Sequence, residues 1–221
     1  MLSVHRAAQI GTAFCAEWAH DAFLKTLLLQ LEQQAWGVMD GWLGESLLSA
    51  LRKEALSLHA ARAFAPAGIR RGAAFAVDAL VRSDEVCWLD PGNLTAVQSE
   101  LSDRLELLRG VLNRTFFLGL HDFESHLAIY EEGQHYDRHR DRFSDVDRRC
   151  VSFVLYLNPN WLSGDGGEVR IYEGEHSDAI QTEVVPSWGK LLLFMSADTW
   201  HEVMPTHTQR LSLTGWFRTR V

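Results

Sequence analysis

The feature that most constrains the fold is a change of texture just after Arg114. Downstream of it, Phe123 to Tyr130, Cys150 to Leu157, Glu168 to Tyr172, Gly189 to Met195 and Arg210 to Arg218 are short runs rich in Val, Ile, Phe, Tyr and Leu. Turn clusters separate them: Asn158-Pro159-Asn160, Ser163 to Gly167, and Pro186-Ser187. Short β-prone runs punctuated in this way predict a barrel or sandwich. Upstream, apolar residues recur at helical spacing. Trp18, Leu24, Leu27, Leu28 and Leu31 predict one helix ending before Gly37. Leu47, Leu48, Leu51, Ala55 and Leu58 predict a second. Leu94, Val97, Leu101, Leu105, Leu108 and Leu112 predict a third, with Asn93 as its N-cap. Residues 63–90 read as loops with one or two short strands. Helices first and strands after make an α+β protein, its helices braced on the outside of a β-core.

The 221 residues suffice for one domain, or one domain plus an appendage. At 47% hydrophobic and 23% charged the chain is globular, not disordered. A net charge of −8 repels a phosphate backbone, so nucleic acid is not an expected partner. Arg138, Arg140, Arg142, Arg148 and Arg149 crowd one region but alternate with Asp137, Asp141, Asp145 and Asp147, which predicts a salt-bridged, solvated loop. The cysteines, Cys15, Cys87 and Cys150, are odd in number and far apart, as in a reducing compartment. No apolar run spans a bilayer and the first residues lack a signal peptide's pattern, so a cytoplasmic protein without membrane contact is expected.

Three His-x-Asp pairs stand out as metal-ligand candidates: His135/Asp137, His139/Asp141 and His176/Asp178. Any one is weak by itself. His176/Asp178 lies too near His201 for the chain to recross a barrel between them, and it sits among Glu173, Gly174 and Glu175. The other two pairs leave similar distances to His201, and spacing does not choose between them. As distal ligand, His201 stands nine residues before Arg210, room for a hairpin; His207 stands three before it, too close. Two imidazoles and one carboxylate on a single face of a metal leave positions open for co-substrates, the ligand set of non-haem Fe(II) oxygenases. The strand from Arg210 puts Arg210, Ser212, Thr214 and Trp216 on one face and Leu211, Leu213 and Phe217 on the other. A buried guanidinium there needs an anion, either an Asp or Glu of the chain itself or a dicarboxylate held in planar bidentate fashion.

The run Tyr130-x-x-Gly133-x-x-Tyr136-x-x-His139-x-Asp141 resembles the metal motif of 2-oxoglutarate- and Fe(II)-dependent dioxygenases of the prolyl 4-hydroxylase type. The resemblance continues through Cys150 to Asn158, Gly166 to Tyr172, Trp200 to Pro205 and Arg210-Leu211-Ser212. Arg82 to Trp88 is similar to a segment of the hypoxia-type and bacterial prolyl hydroxylases. The resemblance selects His139/Asp141 with His201 as catalytic metal ligands. It implies a double-stranded β-helix (jelly-roll) core at about residues 115–221, inside a dioxygenase domain of 36–221, with 1–35 as an N-terminal helical extension. It implies Fe(II), with 2-oxoglutarate and O2 as co-substrates and ascorbate as a reductant. Tyr156 and Arg210 would hold the distal carboxylate of 2-oxoglutarate, with Tyr130 and Thr214 beside it. Tyr136, Trp216, Arg82 and Asp84 would line the substrate mouth. The implied reaction hydroxylates an unactivated C–H bond, releasing succinate and CO2. A prolyl residue of a protein is the implied target; a free amino acid or small metabolite is the alternative. A degenerate, non-catalytic binding module is disfavoured because the whole ligand set is present. Nucleic-acid oxygenases carry a second arginine where this chain has Trp216. Oligomeric state is not legible in the sequence.

Overall fold

The computed structural model describes residues 22–68, 76–142 and 147–220. Trp18, Cys15 and Asp145, like the remainder of the first twenty-one residues of the expected extension, lie outside the described residues. Helix α1, Ala22–Gln34, buries Leu24, Leu27 and Leu31. Ala35 then takes a left-handed backbone (φ 64) and turns the chain into strand β1, Trp36–Met39. Helix α2, Glu45–Ala60, buries Leu47, Leu48, Leu51 and Ala55 along one stripe. Two short strands follow, β2 at Ala65–Pro66 and β3 at Glu85–Trp88.

Helix α3, Ala96–Phe116, buries Leu101, Leu105, Leu108 and Leu112. Its cap corrects the sequence reading. Thr95, not Asn93, is the N-cap: its Oγ1 accepts from Gln98 N at 3.1 Å while Gln98 Oε1 accepts from Thr95 N at 3.3 Å. This reciprocal box needs Ser or Thr with Gln or Glu three residues on, which Thr95 and Gln98 supply and Asn93 does not. Asn93 instead closes a turn onto Asp90 O at 2.9 Å.

The remaining strands are β4 Leu120–Tyr130, β5 Tyr136–His139, β6 Arg149–Tyr156, β7 Val169–Tyr172, β8 Ile180–Val184, β9 Leu191–Met195, β10 Trp200–Val203 and β11 Arg210–Thr219. They form two antiparallel sheets, a larger one in order β1-β9-β6-β11-β4-β3-β2 and a smaller one in order β5-β10-β7-β8. The arrangement is the double-stranded β-helix expected from the sequence.

Strand alternation splits the larger sheet between two cores. Leu127, Ile129, Phe153, Leu155, Leu193, Leu211, Leu213 and Phe217 face the helices and pack with the leucines of α1, α2 and α3. Ala128, Tyr130, Val154, Tyr156, Leu192 and Phe194 face the other way and meet Val169, Ile171, Val184 and Val203 of the smaller sheet. Helix α1 therefore belongs to the folded body. The helices stiffen one face of the larger sheet, and the opposite face becomes the wall of an internal pocket. Trp36 Nε1 donates to Gln181 Oε1 at 3.1 Å and ties β1, the edge of one sheet, to β8, the edge of the other.

Candidate metal centre and co-substrate pocket

Register builds the centre. β5 and β10 pair with His139 directly opposite His201. Asp141 follows two residues after His139, as the chain leaves β5. The three ligand atoms of His139, Asp141 and His201 lie within 4.8 Å of one another, and all three residues are buried. His139 Nδ1 bonds to Asp137 O at 2.7 Å and His201 Nδ1 to Thr199 O at 3.1 Å. A carbonyl can only accept, so each Nδ1 carries a proton and Nε2 is the nitrogen turned to the cluster. Both imidazoles are thus oriented as Nε2 ligands, and the donor set fits a divalent metal.

The electrostatics agree with that role. Burial, reinforced by the neighbouring His139, pushes His201 down to about 4, so it is neutral at physiological pH. Burial by itself would raise the Asp141 carboxyl, but His139, His201 and Arg149 together outweigh it and hold Asp141 well below the usual carboxylate range. A neutral imidazole and an ionised carboxylate are the protonation states a metal requires.

The other two pairs differ. His135 Nε2 lies 3.4 Å from Asp137 Oδ1, but the Asp137 side chain is 57% exposed and no second histidine joins them among the described residues. His176 and Asp178 are exposed on the segment between β7 and β8. His207 Nδ1 contacts Gly164 O, away from the cluster.

Behind the centre lies Arg210, 2% exposed. Its guanidinium sits 4.9 Å from the Tyr130 ring centroid and 5.1 Å from that of Tyr156. Nε donates to Gly167 O at 2.8 Å and Nη1 to Ser212 Oγ at 3.4 Å. Among the described residues Arg210 has no carboxylate partner, so its buried charge awaits an anion. Tyr156 Oη is buried beside it with no hydrogen-bond partner, and burial pushes this phenol up to about 12 despite the adjacent guanidinium. A neutral, unpartnered hydroxyl and an uncompensated guanidinium together fit one carboxylate. Thr214, half-buried, shares their face of β11. Burial likewise raises the Tyr130 phenol above its ordinary value.

Gly167 is a pocket residue that the sequence places in a turn and in the family motif without a role of its own. Its φ of +68 suits glycine, its carbonyl holds Arg210, and a Cβ there would meet Arg210 Cδ at 2.9 Å.

The expected mouth residues also gather near the centre. The Tyr136 ring lies flat on His139, 3.6 Å between centroids and 16° between planes. Arg82 sits 4.6 Å above the far side of Tyr136. Asp84 pins Arg82 through bonds of 2.6 and 2.9 Å. Burial disfavours that guanidinium, but the Asp84 carboxylate more than compensates and raises its pKa. Trp216 forms a three-ring cluster with His126 and the half-exposed Trp88, every pair of centroids lying within 6.1 Å.

Among the described residues of the arginine-rich run, Arg138, Arg148 and Arg149 make ion pairs, as the mixed charges predict, but three arginines also stack on aromatic rings. Arg138 stacks on Tyr172 at 3.5 Å and Arg140 on Trp200 at 4.7 Å. Arg149 is 8% exposed, lies 3.4 Å over the Trp216 ring and bonds to Glu124 at 3.2 Å. A guanidinium is weakly hydrated and planar, so aromatic faces compete with water for it. Charge alternation alone does not reveal those faces.

Residues 125–218 match the model of the 2OG-Fe(II) oxygenase superfamily. A prolyl 4-hydroxylase structure from Pseudomonas putida is 37% identical, with a TM-score of 0.77 over 88% of this chain and 98% of that one. A Trichoplax adhaerens prolyl hydroxylase, solved with a fragment of the hypoxia-inducible factor oxygen degradation domain, is 25% identical, with a TM-score of 0.72 over 88% of both chains. The hypoxia-inducible factor prolyl hydroxylase of Caenorhabditis elegans is 26% identical over 98% of this chain, which spans 30% of that relative's length. The chain belongs to the 2OG-Fe(II) oxygenase superfamily, on the prolyl hydroxylase side of it. Among the described residues no helix is long and apolar enough to cross a membrane.

Proposed function

We propose that this protein is a 2-oxoglutarate-dependent dioxygenase that hydroxylates a prolyl residue of a protein or peptide. One observation carries the reading: the chain buries both a His139/Asp141/His201 cluster and an arginine, Arg210, that has no carboxylate partner among the described residues. The three side chains would hold Fe(II) through two Nε2 atoms and one Asp141 oxygen. When bound with 2-oxoglutarate and O2, that ion supplies the oxidative decarboxylation that yields succinate, CO2 and a hydroxylated C–H carbon.

The protein's part is binding and orientation. Arg210 would grip the distal carboxylate of 2-oxoglutarate through two N–H groups, with Tyr156 Oη donating a further bond. Tyr130 and Thr214 would border the co-substrate. Tyr136 covers one face of the His139 imidazole and keeps water from it. Tyr136, Trp216 and the Arg82–Asp84 pair would border the peptide's target ring. Similarity to prolyl hydroxylases over nearly whole chains supports a prolyl target. We assign catalysis to residues 36–221, with the β-core from about 115. Of the 1–35 extension, α1 packs on β1 and braces this unit. The free thiols Cys87 and Cys150 support a reducing, cytoplasmic setting, and ascorbate would serve as reductant.

The test is incubation with Fe(II), 2-oxoglutarate, O2, ascorbate and a panel of proline-containing peptides. The proposal predicts succinate formed one-for-one with a peptide heavier by one oxygen atom, located on proline by fragmentation. Succinate formation coupled to a free amino acid, with no peptide modified, would contradict it.

A further inference from the structure

Two serines stand behind the candidate metal centre, one on β6 and one just past the end of β9. Ser152 and Ser196 are both fully buried. Ser152 Oγ donates to Asp141 Oδ2 at 2.6 Å. The same oxygen lies 2.8 Å from Ser196 Oγ. A serine hydroxyl has one proton. Because Ser152 commits its proton to the carboxylate, Ser196 must be the donor in the second bond. The serines therefore form a directed relay, Ser196 to Ser152 to Asp141.

The relay discriminates between the two carboxylate oxygens. Ser152 holds Oδ2, whereas Oδ1 faces the imidazoles, 3.6 Å from His139 Nε2. The backbone of the same residue is also held, since Arg149 Nη1 donates to Asp141 O at 3.3 Å. The relay rests on rigid neighbours: Ser152 pairs with Phe194 of β9 and Trp216 of β11, and Ser196 N donates to Cys150 O at 3.0 Å. A carboxylate with both oxygens free can turn and chelate a metal through both. That would consume a coordination position the co-substrates need. A short charge-assisted bond to one oxygen opposes the turn.

We propose that Ser152, oriented by Ser196, is a positioning residue that keeps Asp141 a one-oxygen metal ligand and so preserves the open face of the site. This rests on the metal-centre reading above.

The test is titration of the metal-free protein with Mn(II) and, separately, Co(II), for wild type, Ser152→Ala, Ser196→Ala and the double variant. Both substitutions delete one buried oxygen and add no volume. Ser152→Ala should weaken metal affinity about tenfold or more, in the range typical of lost outer-shell partners. It should also change the Co(II) ligand-field absorption, which a merely structural residue would leave as it is. Ser196→Ala should have a smaller effect in the same direction. The double variant should match Ser152→Ala, because Ser196 acts through Ser152. Affinity within about twofold of wild type for Ser152→Ala, with an unchanged Co(II) spectrum, would overturn the proposal. So would additive losses in the double variant. Ser196→Ala, farther from the ligand, carries the test where Ser152→Ala is unstable, and an affinity and spectrum equal to wild type would overturn the relay. A wild-type protein that takes up neither ion would instead overturn the metal-centre reading, and this proposal with it.

Discussion

Replacing Arg210 with alanine removes a buried guanidinium placed to neutralise an anion in the pocket. Its guanidinium is 2% exposed and spends one N–H on Gly167 O and one on Ser212 Oγ. A guanidinium has five N–H donors, so a bidentate pair with a carboxylate is available. Each charge-assisted bond contributes about 1.5–3 kcal/mol. Water entering the space left by the side chain recovers part of two such bonds, leaving a net loss of about 3 kcal/mol. At about 1.4 kcal/mol per tenfold, the KM for 2-oxoglutarate should rise by roughly two orders of magnitude. Arg210 is not one of the three clustered ligand residues, so kcat at saturating 2-oxoglutarate should change far less, the signature of lost uniform binding. Arg210→Lys keeps charge without the bidentate fork and should fall between. The assay is succinate release against 2-oxoglutarate concentration, with circular dichroism to establish that each variant is folded. A folded Arg210→Ala enzyme whose KM stays within about twofold of wild type would refute the reasoning.

Tyr156→Phe should raise the same KM by a smaller factor, about three- to tenfold, because one neutral donor is lost. The metal-free variant should be no less stable than wild type in denaturant titration, since the deleted hydroxyl is buried and unpartnered. Alanine at His139 or Asp141 should abolish succinate formation while alanine at His135 leaves most of it; the reverse ranking in a turnover assay would show that the wrong pair was chosen. Thr95→Ala breaks the capping box of α3 and should cost about 1 kcal/mol in denaturant unfolding with activity kept. The metal-free protein should lose stability as pH falls from about 6.5 towards 4. His201 resists protonation when folded, so the unfolded chain takes up its proton first across that window. A His201→Gln variant, compared by thermal melting at both ends of it, should lose less.

Much of this was legible because strand chemistry is local. β4, β6, β7, β9 and β11 are runs of β-branched, aromatic and aliphatic residues bounded by turn clusters, and each was placed to within a few residues. β5 and β10 do not stand out as strands in the sequence. They are four residues long and carry His139, Arg138, His201 and Glu202, polar groups whose strand state comes from pairing with each other rather than from propensity. The face carrying Arg210, Ser212, Thr214 and Trp216 followed from alternation alone. Arg149 escaped because its partners, Trp216 and Glu124, lie far away in sequence and meet it only through the β4–β11–β6 register. Ser152 falls within the β-prone run Cys150 to Leu157, but its link to Asp141 is a tertiary fact. Gly167 showed its turn chemistry and hid its carbonyl's grip on Arg210.

The most direct test is a crystal structure of the protein with Mn(II) and 2-oxoglutarate, using anomalous scattering to locate the metal. The account predicts one strong peak about 2.0–2.2 Å from His139 Nε2, His201 Nε2 and a single Asp141 oxygen. 2-Oxoglutarate should lie with its distal carboxylate on Arg210 and Tyr156 Oη. A metal seated away from these three residues, or a co-substrate that leaves Arg210 without an anion, would contradict it.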